Sequence, residues 1–384
     1  MTGSRSCKPS PARLMPSQSA ADPLQRRLRE AVDALLRSEA CPADQRAAVG
    51  DLYALFSELT QVGDAFTSPE HQIETVLPQG TAISSKDAAR CLLDEGRTAQ
   101  FLRGIEAAIR EAQRRFPAQT IEILYAGCGP YATLALPLCT RFSPTEVQFT
   151  LIDIHGSSLR AAGTLLDRLG LSAYVHGFVQ GDAATYRHPA DQPLHLVVSE
   201  NMQRALSKEP QLAITSNLAP QLTRGGLFIP QQVSIDLGLA DLSKESVFLS
   251  SRVDGVSGPP PARDRIRLGR PLEVTPQSAP ALVQSAKQHV SGVIALPAER
   301  FVVPELAASS VYHAMLWTTA TVFGRYDLRD YDSGLTQPRV LHELGILRGG
   351  ETIELCYHLG QRPGFVAELV VPAGSPTAPP NRHF

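Results

Sequence analysis

Ile121-Glu-Ile-Leu-Tyr125-Ala-Gly127-Cys128-Gly129-Pro-Tyr131-Ala-Thr133 is the stretch on which the reading of this chain turns. Ile121–Tyr125 is a short apolar run that breaks at two closely spaced glycines, the pattern of a buried strand passing into a tight loop. Glycine at that point lets the backbone approach a ligand at the C-terminal edge of a parallel sheet. The loop holds no lysine or arginine, and the GxxxxGK[ST] pattern is missing, so it is poorly suited to cradling phosphate.

Working outward, further apolar strands read at Val147–Asp153, Tyr174–Gln180, His195–Ser199 and Gly226–Ile229, with helical segments such as Ser158–Leu169 between them. Strands alternating with helices imply a parallel sheet covered on both faces. Asp153 ends the second strand, where a carboxylate can accept both hydroxyls of a ribose. Asp182 follows the third strand, where an adenine amino group would sit. A nucleoside ligand without phosphate cradling points to S-adenosylmethionine rather than ATP or NAD. The plainer alternative is an ordinary strand–turn–helix with two solvated carboxylates.

The flanks differ in character. From Pro23 to Phe116 the pattern is helical, with Leu24, Leu28, Val32, Leu35 and Leu36, then Leu52, Leu55 and Leu59, at three- and four-residue spacing. A third amphipathic stretch runs from Ser85 to Arg115, opened by Ser84, Ser85 and Asp87 as caps. Beyond Pro230 the helical period gives way to short β-rich pieces: Gln232–Gly238, Ser246–Val253, Gly292–Leu296, Val311–Gly324, Arg339–Leu344, Thr352–Leu359 and Gly364–Val371. Strands without intervening helices indicate an antiparallel barrel or sandwich. Proline-rich passages lie at the N-terminus, at 257–263 and from Pro372 onward. The expected organisation is a disordered tail (1–22), a helical region (23–116), a nucleoside-binding domain (117–230), a β-barrel-like domain (231–371) and a second tail (372–384).

Composition narrows the partners. The 384 residues are 43% hydrophobic and 19% charged, which is globular and not disordered. Lys+Arg number 36 against Asp+Glu 38, a net charge of -2, with no electrostatic footprint for nucleic acid or an anionic membrane. Six cysteines without a CxxC pair fit reduced thiols in a cytoplasmic protein, and no histidine or cysteine spacing supports a metal site. The N-terminus lacks an apolar h-region. Two charge-free runs, Ile123 to Thr140 and Leu306 to Gly324, are too broken or too polar to span a bilayer.

Two further segments carry chemistry. Leu93-Asp94-Glu95-Gly96-Arg97-Thr98 precedes the glycine loop, and Ser199-Glu200-Asn201-Met202-Gln203-Arg204-Ala205-Leu206-Ser207-Lys208-Glu209 follows the fourth strand. A guanidinium is protonated at any physiological pH and its nitrogens are poor nucleophiles. Two carboxylates can grip it bidentately, draw its charge away from one nitrogen and aim that nitrogen at a methyl group. Glu200 and Glu209 are the candidates for that pair.

With these segments the chain resembles a class I S-adenosylmethionine-dependent methyltransferase, and specifically the protein arginine methyltransferase family. The resemblance implies an α/β fold: a Rossmann-like methyltransferase sheet, preceded by a helical region and followed by a β-barrel-like C-terminal domain. Leu93–Thr98 is similar to the family's Asp-Glu-x-Arg-Thr segment on the helix covering the cofactor, which would make Arg97 the partner of the methionine carboxylate. Ser199–Glu209 is similar to its double-glutamate hairpin. The implied cofactor site is Arg97, Tyr125, Gly127, Cys128, Gly129, Asp153, Asp182 and Ser199. Met202, Thr336 and Gln337 would stand beside the acceptor, with Glu200 and Glu209 catalytic. Departures are Tyr125 for the first-strand acid, Tyr131 for the last glycine, and Asn201 where an aromatic is common. Gly334–Arg339 also replaces a Thr-His-Trp loop, keeping only Thr336. The family pairs through a helical arm, so a homodimer is implied. No arm is identifiable here, and the N-terminal helices could take its place.

The expected activity is N-methylation of a guanidino group, on free arginine or a small guanidine in preference to a protein arginine. Two alternatives stand beside it: a small-molecule C- or N-methyltransferase of specialised metabolism, and a non-catalytic scaffold that keeps the fold.

Overall fold

The computed structural model describes residues 22–37, 42–66, 68–245, 264–288, 293–307 and 311–370. Both proline-rich tails apart from Asp22, the 257–263 passage and the expected strand at Ser246–Val253 lie outside the described residues. Helix α1 (Pro23–Leu36) opens with Pro23 in its first turn and Asp22 accepting from the Leu24 N–H. It buries Leu28, Ala31, Val32 and Leu35, one face at helical spacing. Helix α2 (Pro42–Thr60) buries Leu52, Leu55 and Phe56 in the same core. Tyr131 of the glycine loop anchors α2: its ring packs edge-on against Phe56 at 5.6 Å, and its hydroxyl donates to the Val62 carbonyl at 2.5 Å. The bulky residue at that loop position is thus explained by the helix packed on it.

A small hairpin, β1 (Thr75–Leu77) and β2 (Gly80–Ala82), leads into the amphipathic stretch. One continuous helix from Ser85 to Arg115 is not what forms. Helix α3 (Ser85–Arg90) gives way to a 3-10 turn at Cys91–Leu93, and α4 (Glu95–Arg115) starts afresh. Asp94 is the cause: its backbone leaves helical space (φ -76°, ψ 92°), and its side chain caps the new helix at the Arg97 N–H. This break places Arg97 in the first turn of α4.

Strands β3 (Ile121–Ala126), β4 (Val147–Asp153), β5 (Val175–Gln180), β6 (Leu196–Ser199) and β7 (Leu227–Ile229) form a parallel sheet in the order β5-β4-β3-β6-β7. Helices α5 (Gly156–Arg168) and α6 (Gln211–Leu218) follow β4 and β6 and pack on the sheet. Strand order reverses between β3 and β6, so the chain leaves their C-terminal ends in opposite directions and opens a crevice there. The glycine loop follows β3 and Glu200 follows β6, so both reach that crevice.

After β7 the chain builds two antiparallel sheets. One holds β8 (Gln232–Ala240), β9 (Arg265–Val274), β13 (His313–Phe323), β14 (Tyr326–Leu328) and β15 (Arg339–Val340). The other holds β10 (Lys287–Gln288), β11 (Ile294–Ala295), β12 (Glu299–Val302), β16 (Thr352–His358) and β17 (Gly364–Val370). The architecture is therefore an α/β Rossmann-like sheet with helices before it and an antiparallel β region after it. Several details differ from the pattern reading: the β1–β2 hairpin lies inside the stretch expected to be helical, and β9, β10, β12 and β14 have no counterpart among the expected strands. Ser278–Ser285 is helical, although it buries only Ala279 and so leaves almost no periodic signal. Arg339–Leu344 is a strand for two residues and then a 3-10 turn at His342–Leu344. Among the described residues no helix is long and apolar enough to cross a membrane.

Candidate active site

A cavity of about 480 Å³ occupies the crevice. Its floor is the glycine loop. Gly127 and Gly129 have φ of 70° and 63°, the left-handed region that disfavours a side chain. A Cβ on Gly127 would also fall 2.0 Å from Asn201 Oδ1, so the loop and the segment after β6 are in close contact. Gly127 and Cys128 both give their N–H to the Ile152 carbonyl, and Gly129 gives its N–H to Asp153 Oδ2 at 2.8 Å. The loop's donors are thus turned inward and not aimed at a phosphate.

Asp153 ends β4 with both carboxylate oxygens engaged once, Oδ2 by Gly129 and Oδ1 by the His155 N–H at 2.8 Å. Each oxygen retains a further acceptor site, and Asp153 lines the cavity, which suits a pair of vicinal hydroxyls. Burial pushes its carboxyl pKa up, and the two backbone bonds pull against that. Asp182 lies on the same wall and accepts from the Ala184 N–H. Tyr125 and Cys128 line the cavity as buried side chains, and burial raises the pKa of both, which makes each a neutral wall and not a base.

Arg97 reaches the cavity from α4. Its Nη1 donates to the Cys91 carbonyl at 2.8 Å, its Nη2 is ion-paired with Glu200 Oε2, and its buried Nε has no hydrogen-bond partner among the described residues. Glu200 and Glu209 are each 8% exposed and both face this cavity. Their situations differ. Glu200 has a cation against it, whereas Glu209 is pushed up to about 7 by burial, with a hydrogen bond to Gln203 and the charges of Arg97 and Lys208 pulling against that.

The loop between them is held from a distance. Ala205, Leu206 and Lys208 all have positive φ (54°, 52° and 68°), a conformation that non-glycine residues keep only when neighbours enforce it. Thr318 on β13 accepts from the Ala205 N–H at 2.9 Å, and Tyr357 on β16 donates its hydroxyl to the Leu206 carbonyl at 2.7 Å. The Lys208 N–H donates to the Pro363 carbonyl, and the Lys208 carbonyl accepts from the Thr81 N–H of β2. The antiparallel region and the β1–β2 hairpin thus set where Glu209 points.

Of the residues singled out from sequence, Arg97, Tyr125, Gly127, Cys128, Gly129, Asp153, Asp182, Glu200, Met202, Glu209 and Gln337 all line the one cavity. Ser199 and Thr336 are not among its lining. Ser199 is fully buried against Gln211 and Asn201, and Thr336 is fully buried, closing a capping box with Ser333. In place of Thr336 its turn contributes Leu335 and Gly334, the latter held by its N–H to Asp94 Oδ2 at 2.8 Å.

Several contributors escaped the pattern, Asn201 and Gln203 among them. Asn201 ties the ends of β3 and β6 together by donating to the Ala126 carbonyl and to Ser199 Oγ. Gln203 is a partner of Glu209. The segment is polar at most of its positions, so neither side chain stands out from its neighbours in the sequence.

No family model and no curated protein matches the chain. Among solved structures it is similar to the Trypanosoma brucei PRMT1 enzyme-prozyme heterotetrameric complex with AdoHcy, with 13% identity, a TM-score of 0.49, and coverage of 75% of this chain and 94% of that one.

Proposed function

We propose that this chain is an S-adenosylmethionine-dependent methyltransferase that N-methylates a guanidino group, on free arginine or another small guanidine in preference to a protein arginine. The observation that carries the reading is the convergence of two buried glutamates, Glu200 and Glu209, on the cavity that also holds the glycine loop and Asp153.

The residues fit the cofactor. Asp153 offers acceptors for ribose hydroxyls, and Gly127 and Gly129 keep the floor free of side chains. Arg97, with a buried Nε still unpartnered among the described residues, suits a carboxylate. When bound, S-adenosylmethionine supplies an electrophilic methyl group. The chain's own part is to bind a flat cation between two carboxylates and to orient one nitrogen. Glu209 also provides a place for the proton that nitrogen sheds, since a carboxyl near 7 can hold a proton at neutral pH.

A small acceptor is favoured by the roof. Glu74, Leu77, Ala82 and Ile83 of the β1–β2 region line the cavity, and Thr81 fastens the hairpin to Lys208 and to the Gln361 carbonyl. A labelled-methyl assay comparing free arginine, arginine peptides and histones tests the reading. Label on free arginine is the expected result; label confined to protein rejects the small-acceptor version, and no label on any guanidine rejects the guanidino assignment.

A further inference from the structure

Three cations stand on the cavity wall: Arg97, Arg204 and Lys208. Two are already committed, Arg97 to Glu200 and Lys208 to Glu74 at 2.5 Å. Arg204 differs. It is exposed while lining the cavity, which places it at the mouth, and its guanidinium has no hydrogen-bond or ion-pair partner among the described residues. A charged side chain at the rim of a cavity with acids inside needs a reason, because a second cation at the mouth would repel a purely cationic acceptor.

The reason lies in the polarity of the acceptor. We propose that Arg204 reads a carboxylate, so that the acceptor is a guanidino acid bound with its guanidinium between Glu200 and Glu209 and its carboxylate on Arg204. This rests on the guanidino reading above and deepens it. Arg204 belongs to the same Glu200–Glu209 segment, four residues after one glutamate and five before the other. The residues that follow it, Ala205, Leu206 and Lys208, are locked in left-handed conformations by Thr318, Tyr357, Pro363 and Thr81. The base of Arg204 is therefore held at a set separation from the acids, as a ruler for acceptor length requires. An arginine fork bonds a carboxylate through two parallel N–H donors, a geometry that lysine cannot reproduce. An arginine inside a peptide chain carries no carboxylate and would forgo that contact.

The test compares free arginine with agmatine, its decarboxylated counterpart, in steady-state methylation by the full chain and by Arg204→Ala and Arg204→Glu. The expected wild-type result is a kcat/KM for arginine about 10- to 100-fold above that for agmatine, carried mainly by KM, the size of a charge-assisted bidentate contact. In Arg204→Ala the ratio collapses toward one, and in Arg204→Glu it inverts. Equal use of the two by the wild type, or a preference that survives both substitutions, overturns the proposal.

Binding of S-adenosylhomocysteine, read by calorimetry, separates the two levels. Binding with turnover of agmatine but no preference for arginine sinks only the role of Arg204. Binding without turnover of any guanidine sinks the guanidino reading and this inference with it, and absence of binding sinks the methyltransferase reading altogether. Because Arg204 is exposed, the variants keep the fold; a wild-type S-adenosylhomocysteine affinity in them confirms it.

Discussion

The two halves of the cavity are built in opposite ways. The glycine-loop half is made by neighbours in the sheet: β3 and β4 pair in register from Ile121↔Val147 to Ala126↔Ile152, and Gly127, Cys128 and Gly129 are bonded to residues at the end of β4. Two of its three left-handed angles fall on glycines, Gly127 and Gly129, where they cost little, and the third on Ala132 (φ 43°). The glutamate-loop half places its unusual angles on alanine, leucine and lysine, and holds them through Thr318 and Tyr357, 113 and 151 residues away. The first half comes with the parallel sheet; the second exists only once the antiparallel region has docked. The difference implies that the glycine-loop end is robust and the glutamate-loop end is conditional.

The comparison can be broken most severely at Glu200, which joins the two halves through Arg97. Glu200→Ala leaves a buried guanidinium without its counter-charge, and the expected loss is about 3–5 kcal/mol in denaturant unfolding together with loss of turnover. Unchanged stability would mean that the Arg97 pair is not the link between them.

Glu209 supplies the next largest effect, through pH. Its folded pKa of about 7 lies above the ordinary glutamate value of 4.5, so between those two pH values the folded state binds more protons than the unfolded chain. Stability from this group is therefore greatest below pH 4.5 and falls as pH rises to 7, by about 3 kcal/mol in all. Glu209→Gln should remove that slope, so its stability relative to wild type should improve from pH 4 to pH 8. A parallel pair of curves would contradict the buried-acid account. A guanidinium needs Glu209 ionised, so its binding should tighten over the upper part of the same window.

A smaller effect sharpens the nucleoside side. Asp153→Ala removes the acceptor for the Gly129 and His155 N–H groups and the proposed ribose partner. Affinity for S-adenosylhomocysteine should fall about 10- to 100-fold, measured by calorimetry. The smallest effect sits at the opposite end. Tyr357→Phe deletes the hydroxyl that holds the Leu206 carbonyl, costing about 1–2 kcal/mol of stability. Its mark should be a raised KM for the guanidine with cofactor affinity unmoved; a matching loss of cofactor affinity would show that the halves are not separable.

Legibility in the sequence followed the same division. Strand β3 and its glycines, Asp153 at the end of β4 and the acids flanking Met202 were readable because short-range patterns set them: an apolar run, a turn residue, a spacing. The amphipathic stretch over Ser85–Arg115 breaks at Asp94, whose capping preference outweighs an amphipathic period on both sides of it. The resemblance to a Thr-His-Trp loop implies Thr336 as an acceptor residue. In the fold its hydroxyl is used within its own turn, and Leu335 beside it faces the cavity.

By itself the sequence determined the alternation of strands and helices from Ile121 to Ile229, the glycine turn and the presence of two glutamates after a buried strand. Hydrophobic period and backbone sterics act over a few residues and leave their record locally. Only the tertiary structure decided that Glu200 pairs with Arg97, that Glu209 is deep enough to hold a proton near neutrality, and that Arg204 stands at the mouth without a partner among the described residues. Each of these depends on how far a charge is from water and from other charges, and that distance is set by elements a hundred or more residues apart along the chain.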